Sequence, residues 1–198
     1  ATFWLRDDAK WSDGEPITAA DFIFAWQLAL KPETGSEYAS LLYSIENAEA
    51  INSGKLAASE LGVSAPNPQT LVVKLARPIA FFDKLVVFPT FLPIREDFYN
   101  ATQGRFGSDA EELLYSGPYV IKRWVHSSNL LLERNPHYWD SSRGKLAQIN
   151  FAYITSDATA TLNFFKDERI ALARLQAENL TEALRLQRPI RRFADGTV

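Results

Sequence analysis

The fold is decided by the stretch Trp11-Ser-Asp-Gly-Glu-Pro-Ile-Thr-Ala-Ala-Asp-Phe22, which closes a strand and starts a helix. Ahead of it, residues 2–6 alternate between one apolar side and one mixed side, which predicts a half-buried strand. Gly14 is expected to take a positive φ in the turn that follows. Thr18 stands three residues before Asp21, so the pair predicts a capping box at the helix start.

The helix after this cap is predicted from apolar residues that recur at helical spacing until Pro32 stops it. The residues expected to be largely buried are Trp11, Phe22, Trp26 and Leu75. A second apolar set, over residues 78–93, would suit a cleft wall, but aromatic residues at this spacing usually belong to a core. We therefore expect the set in the core: Phe81, Phe82, Leu85 and Phe88.

The rest of the chain is predicted to alternate short helices with antiparallel strand pairs. Helices are expected over 36–43 (capped by Ser36), 45–51 (ended by Gly54), 78–85, 109–114 (capped by Asp109), from Asp157 onward, and over 178–187. Strands are expected over 62–65, 70–75, 119–124, 129–134, 147–154 and 170–173, with an irregular segment over 95–107. This pattern predicts a mixed α/β fold with two subdomains, 1–95 and 96–198.

Composition excludes several classes of function. A hydrophobic content of 46% and a net charge of −3 give no reason to expect nucleic acid or an anionic membrane as a partner. The absence of cysteine excludes disulfides, thiolate metal sites and cysteine nucleophiles. No apolar run reaches membrane-spanning length. The sequence opens without a signal peptide, although a targeting segment could have preceded its first strand.

Residues with catalytic or metal-binding chemistry are few, and each has an ordinary structural explanation. His126 and His137 have no third ligand in view, so no metal site is expected. The acidic residues Asp7, Asp8, Asp13 and Glu15 lie at a strand end and turn, where they serve solvation and turn formation. The basic residues Arg185, Arg188, Arg191 and Arg192 are expected to form a solvated face. We therefore expect no catalytic residues and no cofactor.

Two segments resemble the signatures of a known family. The first signature runs from Leu5 to Phe22, with Trp26 after it. The second signature, residues 117–139, contains Gly-Pro-Tyr, Trp124 and Leu-Glu-Arg-Asn-Pro-His-Tyr-Trp. Both resemble the oligopeptide-binding proteins of ABC importers, in the peptide- and nickel-binding family of extracellular solute-binding proteins. The sequence departs from the family at Ser116, where Asn is usual.

This resemblance implies part of the first lobe of a two-lobed periplasmic-binding-protein fold (type II, cluster C). It implies a protein that closes its lobes around an oligopeptide and works with the permease subunits of an ABC transporter. The implied location is the periplasm or the outer face of a membrane. Tyr38, in the run Ser36–Ser40, matches a family tyrosine that faces the peptide. Phe88 stands where some relatives have a histidine facing the cleft, and it would supply an apolar wall.

Several alternatives remain open at this point. The ligand of this family can also be a dipeptide, a nickel chelate, haem or a sugar, although the segment after Asn47 favours the oligopeptide branch. The same fold occurs as the ligand-sensing domain of transcription regulators. An enzyme would require a perturbed carboxylate pair in a closed pocket. For a solute-binding protein, we expect an exposed apolar patch near Tyr38 and Phe88.

Overall fold

The structure, a computed structural model, describes residues 1–153, 155–187 and 189–190. The chain divides into two compact units, the first made of Ala1–Val120 with Glu133–Ala147 and the second of Ile121–Leu132 with Gln148–Val198. The boundary predicted between subdomains 1–95 and 96–198 remains a prediction, because it refers to the lobe of a complete family member.

The architecture is mixed α/β, as the sequence predicts, with short helices and two sheets of three strands each. The helices are α1 (Ala19–Leu30), α2 (Ala48–Asn52), α3 (Phe82–Leu85), α4 (Glu96–Ala101), α5 (Ala158–Lys166) and α6 (Leu180–Arg185). The strands are β1 (Thr2–Trp4), β2 (Val63–Asn67), β3 (Thr70–Val73), β4 (Tyr119–Val125), β5 (Asn129–Arg134) and β6 (Gln148–Phe151). None of the helices in the described residues is long and apolar enough to cross a membrane.

The first sheet has the order β1-β3-β2, with both neighbours antiparallel to β3. The predicted alternation holds, because Leu71 and Val73 turn inward and are buried. Strand β1 is shorter than expected, and the chain beyond it stays attached through the amide of Leu5, which donates to the carbonyl of Gln69. Strand β3 also ends early, and Leu75 forms only an isolated bridge with Ile45.

Helix α1 supplies the centre of the core in the first unit. Trp26 is 1% exposed and its indole Nε1 donates to the carbonyl of Phe91 at 3.0 Å. Trp11 is also buried, as expected. Phe22 and Leu75 are only partly buried, so the prediction was too strong for these two residues. They pack at the edge of the cluster rather than inside it.

The start of α1 carries the capping box predicted for Thr18 and Asp21. Its stronger arm is the Asp21 carboxylate, which accepts from the backbone N–H of Thr18 at 2.8 Å. The Thr18 hydroxyl faces the Asp21 amide without a full cap hydrogen bond and lies 3.4 Å from the same carboxylate oxygen. Asp21 therefore closes the helix start more firmly than Thr18 does.

Several predicted elements of the first unit differ in the structure. The segment after Ser36 is a 3-10 helix, Ala39–Ser44, and Ser36 contributes its backbone carbonyl rather than a side-chain cap. Helix α3 begins only at Phe82, because Ile79 packs on the core from a non-helical segment. The segment expected to be irregular contains α4, which is supported by the contact of Tyr99 with Phe24. These short helices depend on tertiary contacts more than on local propensity.

Other predictions for the first unit are confirmed. Gly14 has a φ of +95°, and Gly54 follows the C-cap of α2 with a positive φ. Asp109 caps a short 3-10 helix, Ala110–Glu112, by accepting from the amide of Ala110. Strands β4 and β5, which lie mostly in the second unit, also occur where the sequence predicts them, and β4 runs one residue further.

The second unit contains α5, which Asp157 caps by accepting from the amides of Thr159 and Ala160. Ala158 and Leu162 are the buried residues of this helix. The predicted strand over 147–154 is shorter, since β6 covers four residues and Ile154 lies outside the described chain. The predicted final helix is likewise reduced to α6.

The strand predicted over 170–173 is not found in the described chain, where this segment has no regular structure. Leu172 is 87% exposed. An alternating segment forms a stable strand only beside other strands, and neither sheet of the described residues includes this one. Of the predicted arginine face, Arg185 ends α6, whereas Arg188, Arg191 and Arg192 lie outside the described residues.

Candidate functional site

Tyr38 and Phe88 lie side by side on the surface of the first unit, and we call this pair the aromatic wall. Their ring centroids are 6.1 Å apart with an interplanar angle of 45°. Tyr38 is 56% exposed and Phe88 is 45% exposed. The structure thus brings together the two residues that the sequence singled out, and leaves both accessible to a ligand.

The wall is carried by two short 3-10 helices that are fixed to the core. Tyr38 precedes Ala39–Ser44, whose Leu42 is fully buried, and its carbonyl accepts from the amide of Leu41. Phe88 precedes Pro89–Phe91, and its carbonyl accepts from the amide of Phe91 at 2.9 Å. Since Phe91 is 1% exposed and its own carbonyl is held by Trp26, the wall has a rigid support.

The assignment of the apolar set over residues 81–88 to the core is wrong for two of its members. Phe81 and Phe88 are exposed, and only Phe82 is fully buried, between Phe3 and Phe91. The same segment also exposes Val87 and Leu92. The expected apolar patch near Tyr38 and Phe88 is therefore present, and it is wider than the pair alone.

The chemistry of the wall is that of a binding surface. Phe88 offers a ring face, and its backbone N–H is already used by a bond to the carbonyl of Leu85. Tyr38 adds a hydroxyl for which no hydrogen-bond partner is found in the described part of the chain. Such a surface can pack its rings against an apolar group, while the Tyr38 hydroxyl can form one hydrogen bond with a polar group nearby.

A separate cluster joins the two signatures. A Cβ at Gly14 would lie 3.3 Å from Cε1 of His137, so the glycine leaves room for the histidine ring. The Ser12 hydroxyl accepts from the amide of Tyr115 at 3.1 Å. The Arg6 guanidinium carbon lies 3.8 Å from the centroid of the Trp139 ring. The two signatures therefore have a structural role, which is to hold distant parts of the first unit together.

Asn135 organises the second signature from within. It is 6% exposed, and its side-chain amide donates to the carbonyl of Gly117 at 2.8 Å. Its side-chain oxygen accepts from the amide of His137, while its own amide donates to Pro118. This set of bonds explains why an asparagine is needed between the strand and the turn.

A charged cleft of about 650 Å³ lies beside the first signature. Its centre is Arg95, which pairs with Asp13 at 2.6 Å and with Asp97 at 2.7 Å. Asp21 also lines the cleft and is 7% exposed. Burial raises the pKa of Asp21, against the opposing hydrogen bonds from Thr18 and Trp11. Sequence reasoning missed the role of Arg95, because its partner Asp13 is 82 positions away along the chain. It also missed the burial of Asp21.

Two of the acidic residues weighed as a catalytic set, Asp8 and Asp13, have structural partners. Asp8 pairs with Arg6, whose hydrogen bond lowers the pKa of that carboxyl. Asp13 accepts from the amide of Glu15 and closes the turn, as expected. A lowered pKa keeps Asp8 ionised, which does not suit a general acid. Asp21 differs from Asp8, because burial raises its pKa and its carboxylate is already used in hydrogen bonds from Thr18 and Trp11.

The two histidines lie in different surroundings. His126 stacks on Trp124 with 4.4 Å between ring centroids, and His137 lies over Gly14. Within the described residues, no group of three or more His, Asp or Glu side chains is placed to hold a metal ion.

Comparison with known proteins gives a consistent result. Residues 1–191 match the family model described as bacterial extracellular solute-binding proteins, family 5. The oligopeptide-binding protein OppA of Bacillus subtilis is 38% identical over 163 residues, which cover 82% of this chain and 30% of that protein.

Solved structures show the same similarity. The substrate-binding domain of an oligopeptide ABC transporter from Bacillus anthracis superposes with a TM-score of 0.87 and 36% identity, covering 94% of this chain and 36% of that chain. Listeria monocytogenes OppA bound to peptide gives a TM-score of 0.87 and 33% identity, with the same coverage. The chain thus spans about a third of the length of these relatives.

Proposed function

The chain belongs to family 5 of the bacterial extracellular solute-binding proteins, and we propose that its protein binds oligopeptides for import by an ABC transporter. The observation that carries this proposal is the aromatic wall, an exposed pair of rings on a rigid support. It occurs in a chain of which 94% superposes on a relative whose structure contains a bound peptide.

Binding would proceed by closure of two lobes, of which this chain is part of the first, with subdomains 1–95 and 96–198. A peptide held in extended form makes main-chain hydrogen bonds, while its side chains occupy less demanding surroundings. The wall would contact one side chain of the peptide through Tyr38 and Phe88. Closure would remove the peptide from water without any covalent step, so the protein is a carrier and not an enzyme.

The proposed partners and location follow from this role. The loaded protein would dock on the permease subunits of the transporter, from the periplasm or from the outer face of a membrane. The relatives named above are oligopeptide-binding proteins or transporter domains, which supports this assignment. No cofactor is needed, because binding supplies all the free energy that closure requires.

The test is isothermal titration calorimetry of the full-length protein with a mixed library of short peptides. We expect clear binding, which Tyr38→Ala weakens because the wall loses a ring and a hydroxyl. The matched control is Leu56→Ala, since Leu56 has a similar exposed fraction but lies outside the wall. The 198-residue chain alone should bind no tighter than about millimolar, because one lobe leaves much of a peptide in water.

Parallel titrations with a dipeptide, a nickel chelate, haem and a sugar separate the alternatives within the family. Tight binding of any of these, with no response to the peptide library, would replace the proposed ligand. A DNA-binding domain elsewhere in the full-length protein would identify a transcription regulator instead. Micromolar peptide binding by the 198-residue chain alone would contradict the two-lobe mechanism.

A further inference from the structure

We propose that Phe88, together with Tyr38, makes the protein prefer peptides that place an apolar side chain against the aromatic wall. This inference rests on the proposed function and adds a substrate preference to it. The wall presents a phenyl and a phenol ring at 6.1 Å, both about half exposed. Its neighbours on the same segment, Val87 and Leu92, are also exposed and apolar.

The wall lacks a cationic group. The backbone N–H and carbonyl of Phe88 are also both occupied, by bonds to Leu85 and Phe91. A carboxylate that closure presses against these rings would lose water without gaining an ion pair, and it would meet the negative ring faces. Desolvation of an unpaired charge is unfavourable, so acidic side chains are selected against at this position.

The wall favours apolar side chains because of the surface that they bury. An aromatic or branched aliphatic side chain that covers both rings removes apolar surface from water on both partners. The rings need no rearrangement, because Phe91 and Trp26 fix the segment from behind. A preformed surface keeps more of the burial free energy as affinity.

The size of the preference follows from the shape of the wall. The wall is an open surface, so the discrimination should be modest compared with that of an enclosed pocket. We expect Phe or Leu to bind about tenfold more tightly than Glu at the peptide position that meets the wall, within the range of simple hydrophobic discrimination. Other peptide positions should show no dependence on Phe88.

The experiment uses the full-length protein and a tetra-alanine peptide in which each position in turn carries Phe, Leu or Glu. Calorimetry should reveal one peptide position at which Phe or Leu binds about tenfold more tightly than Glu, and we call this difference in affinity the gap. Phe88→Ala and Phe88→His should both shrink that gap to about threefold or less, while Phe88→Leu should keep the preference for Leu. The control Leu56→Ala should leave the gap unchanged, and circular dichroism should verify that each variant folds.

The outcomes separate this inference from the proposed function. If peptides bind but no position discriminates, or if the gap survives in both Phe88→Ala and Phe88→His, the preference is not set by Phe88 and the inference is overturned. If no peptide of any composition binds the full-length protein, the proposed function itself fails. A gap that disappears in these variants and persists in the control would establish the preference.

Discussion

Two aromatic pairs in the first unit have nearly the same composition and opposite surroundings. Trp26 and Phe91 meet at 5.5 Å with an interplanar angle of 82°, and each is 1% exposed. Tyr38 and Phe88 meet at 6.1 Å and are about half exposed. Phe88 and Phe91 are three positions apart and joined by a backbone hydrogen bond.

The difference between the pairs shows that aromatic chemistry alone does not assign a role. The buried pair contributes stability, since its rings are removed from water and its indole N–H has a partner. The exposed pair leaves its apolar surface available, which costs the folded state little and suits a ligand. One short segment thus serves both purposes, and substitutions should separate them.

The largest expected effect is that of Phe91→Ala. It removes a ring from the centre of the core, so we expect a loss of about 3–5 kcal/mol in the free energy of unfolding. Urea unfolding of the full-length protein, followed by circular dichroism, measures the change. A loss below about 1 kcal/mol would mean that the buried pair is not the support of the wall.

The next effect isolates the hydrogen bond of the buried pair. Trp26→Phe keeps an aromatic ring but leaves the carbonyl of Phe91 without its 3.0 Å donor. An unsatisfied buried carbonyl costs about 1–3 kcal/mol, and the smaller ring adds a cavity. The same urea titration measures it, and an unchanged midpoint would show that water replaces the indole.

A third prediction concerns the charge at the start of the helix that carries Trp26. Because burial raises the pKa of Asp21 above the ordinary 3.8, the folded state holds its proton more firmly than the unfolded state. This contribution to stability is complete below pH 3.8 and is lost as the pH rises through the native pKa. Asp21→Asn removes this pH-dependent contribution. The stability of the variant relative to wild type should therefore increase as the pH rises from 3.8 through the native pKa of Asp21. Urea midpoints for both proteins at a series of pH values give the comparison, and a flat difference would contradict the shift.

The smallest expected effect on stability is that of Phe88→Ala. The ring is 45% exposed and lies outside the hydrophobic core cluster, so we expect a change of about 0.5 kcal/mol or less. The same variant should nevertheless weaken peptide binding by the full-length protein. A large loss of stability would contradict the comparison, because the exposed pair would then belong to the core.

The sequence predicted the parts of the fold that depend on local chemistry. The capping box at Thr18, the cap at Asp157 and the hairpin of β4 and β5 all follow from short patterns, and all are present. The spacing of the aromatic residues placed Phe81 and Phe88 in the core, whereas the resemblance predicted an exposed patch near Phe88. The spacing misled because the ring that packs against Trp26 belongs to Phe91, which a local pattern does not show. The position of α4 was missed for a similar reason, since its support is Phe24.

The candidate site shows the same limit. The resemblance singled out Tyr38 and Phe88, and the structure places them in contact, but their exposure is a tertiary property. The burial of Asp21 depends on Trp11 and on the packing around α1, which its capping pattern alone does not show.

The hydrogen bond between Ser12 and Tyr115 joins residues that are 103 positions apart, and this separation bears on the order of folding. A ribosome that adds about 5–20 residues per second needs roughly 5–20 s to travel between them. During that interval the turn at Gly14 has neither Tyr115 nor His137 beside it. The local hairpin of β2 and β3 can close early, because its loop is short. The turn of the first signature should therefore be among the last parts of the first unit to become fixed.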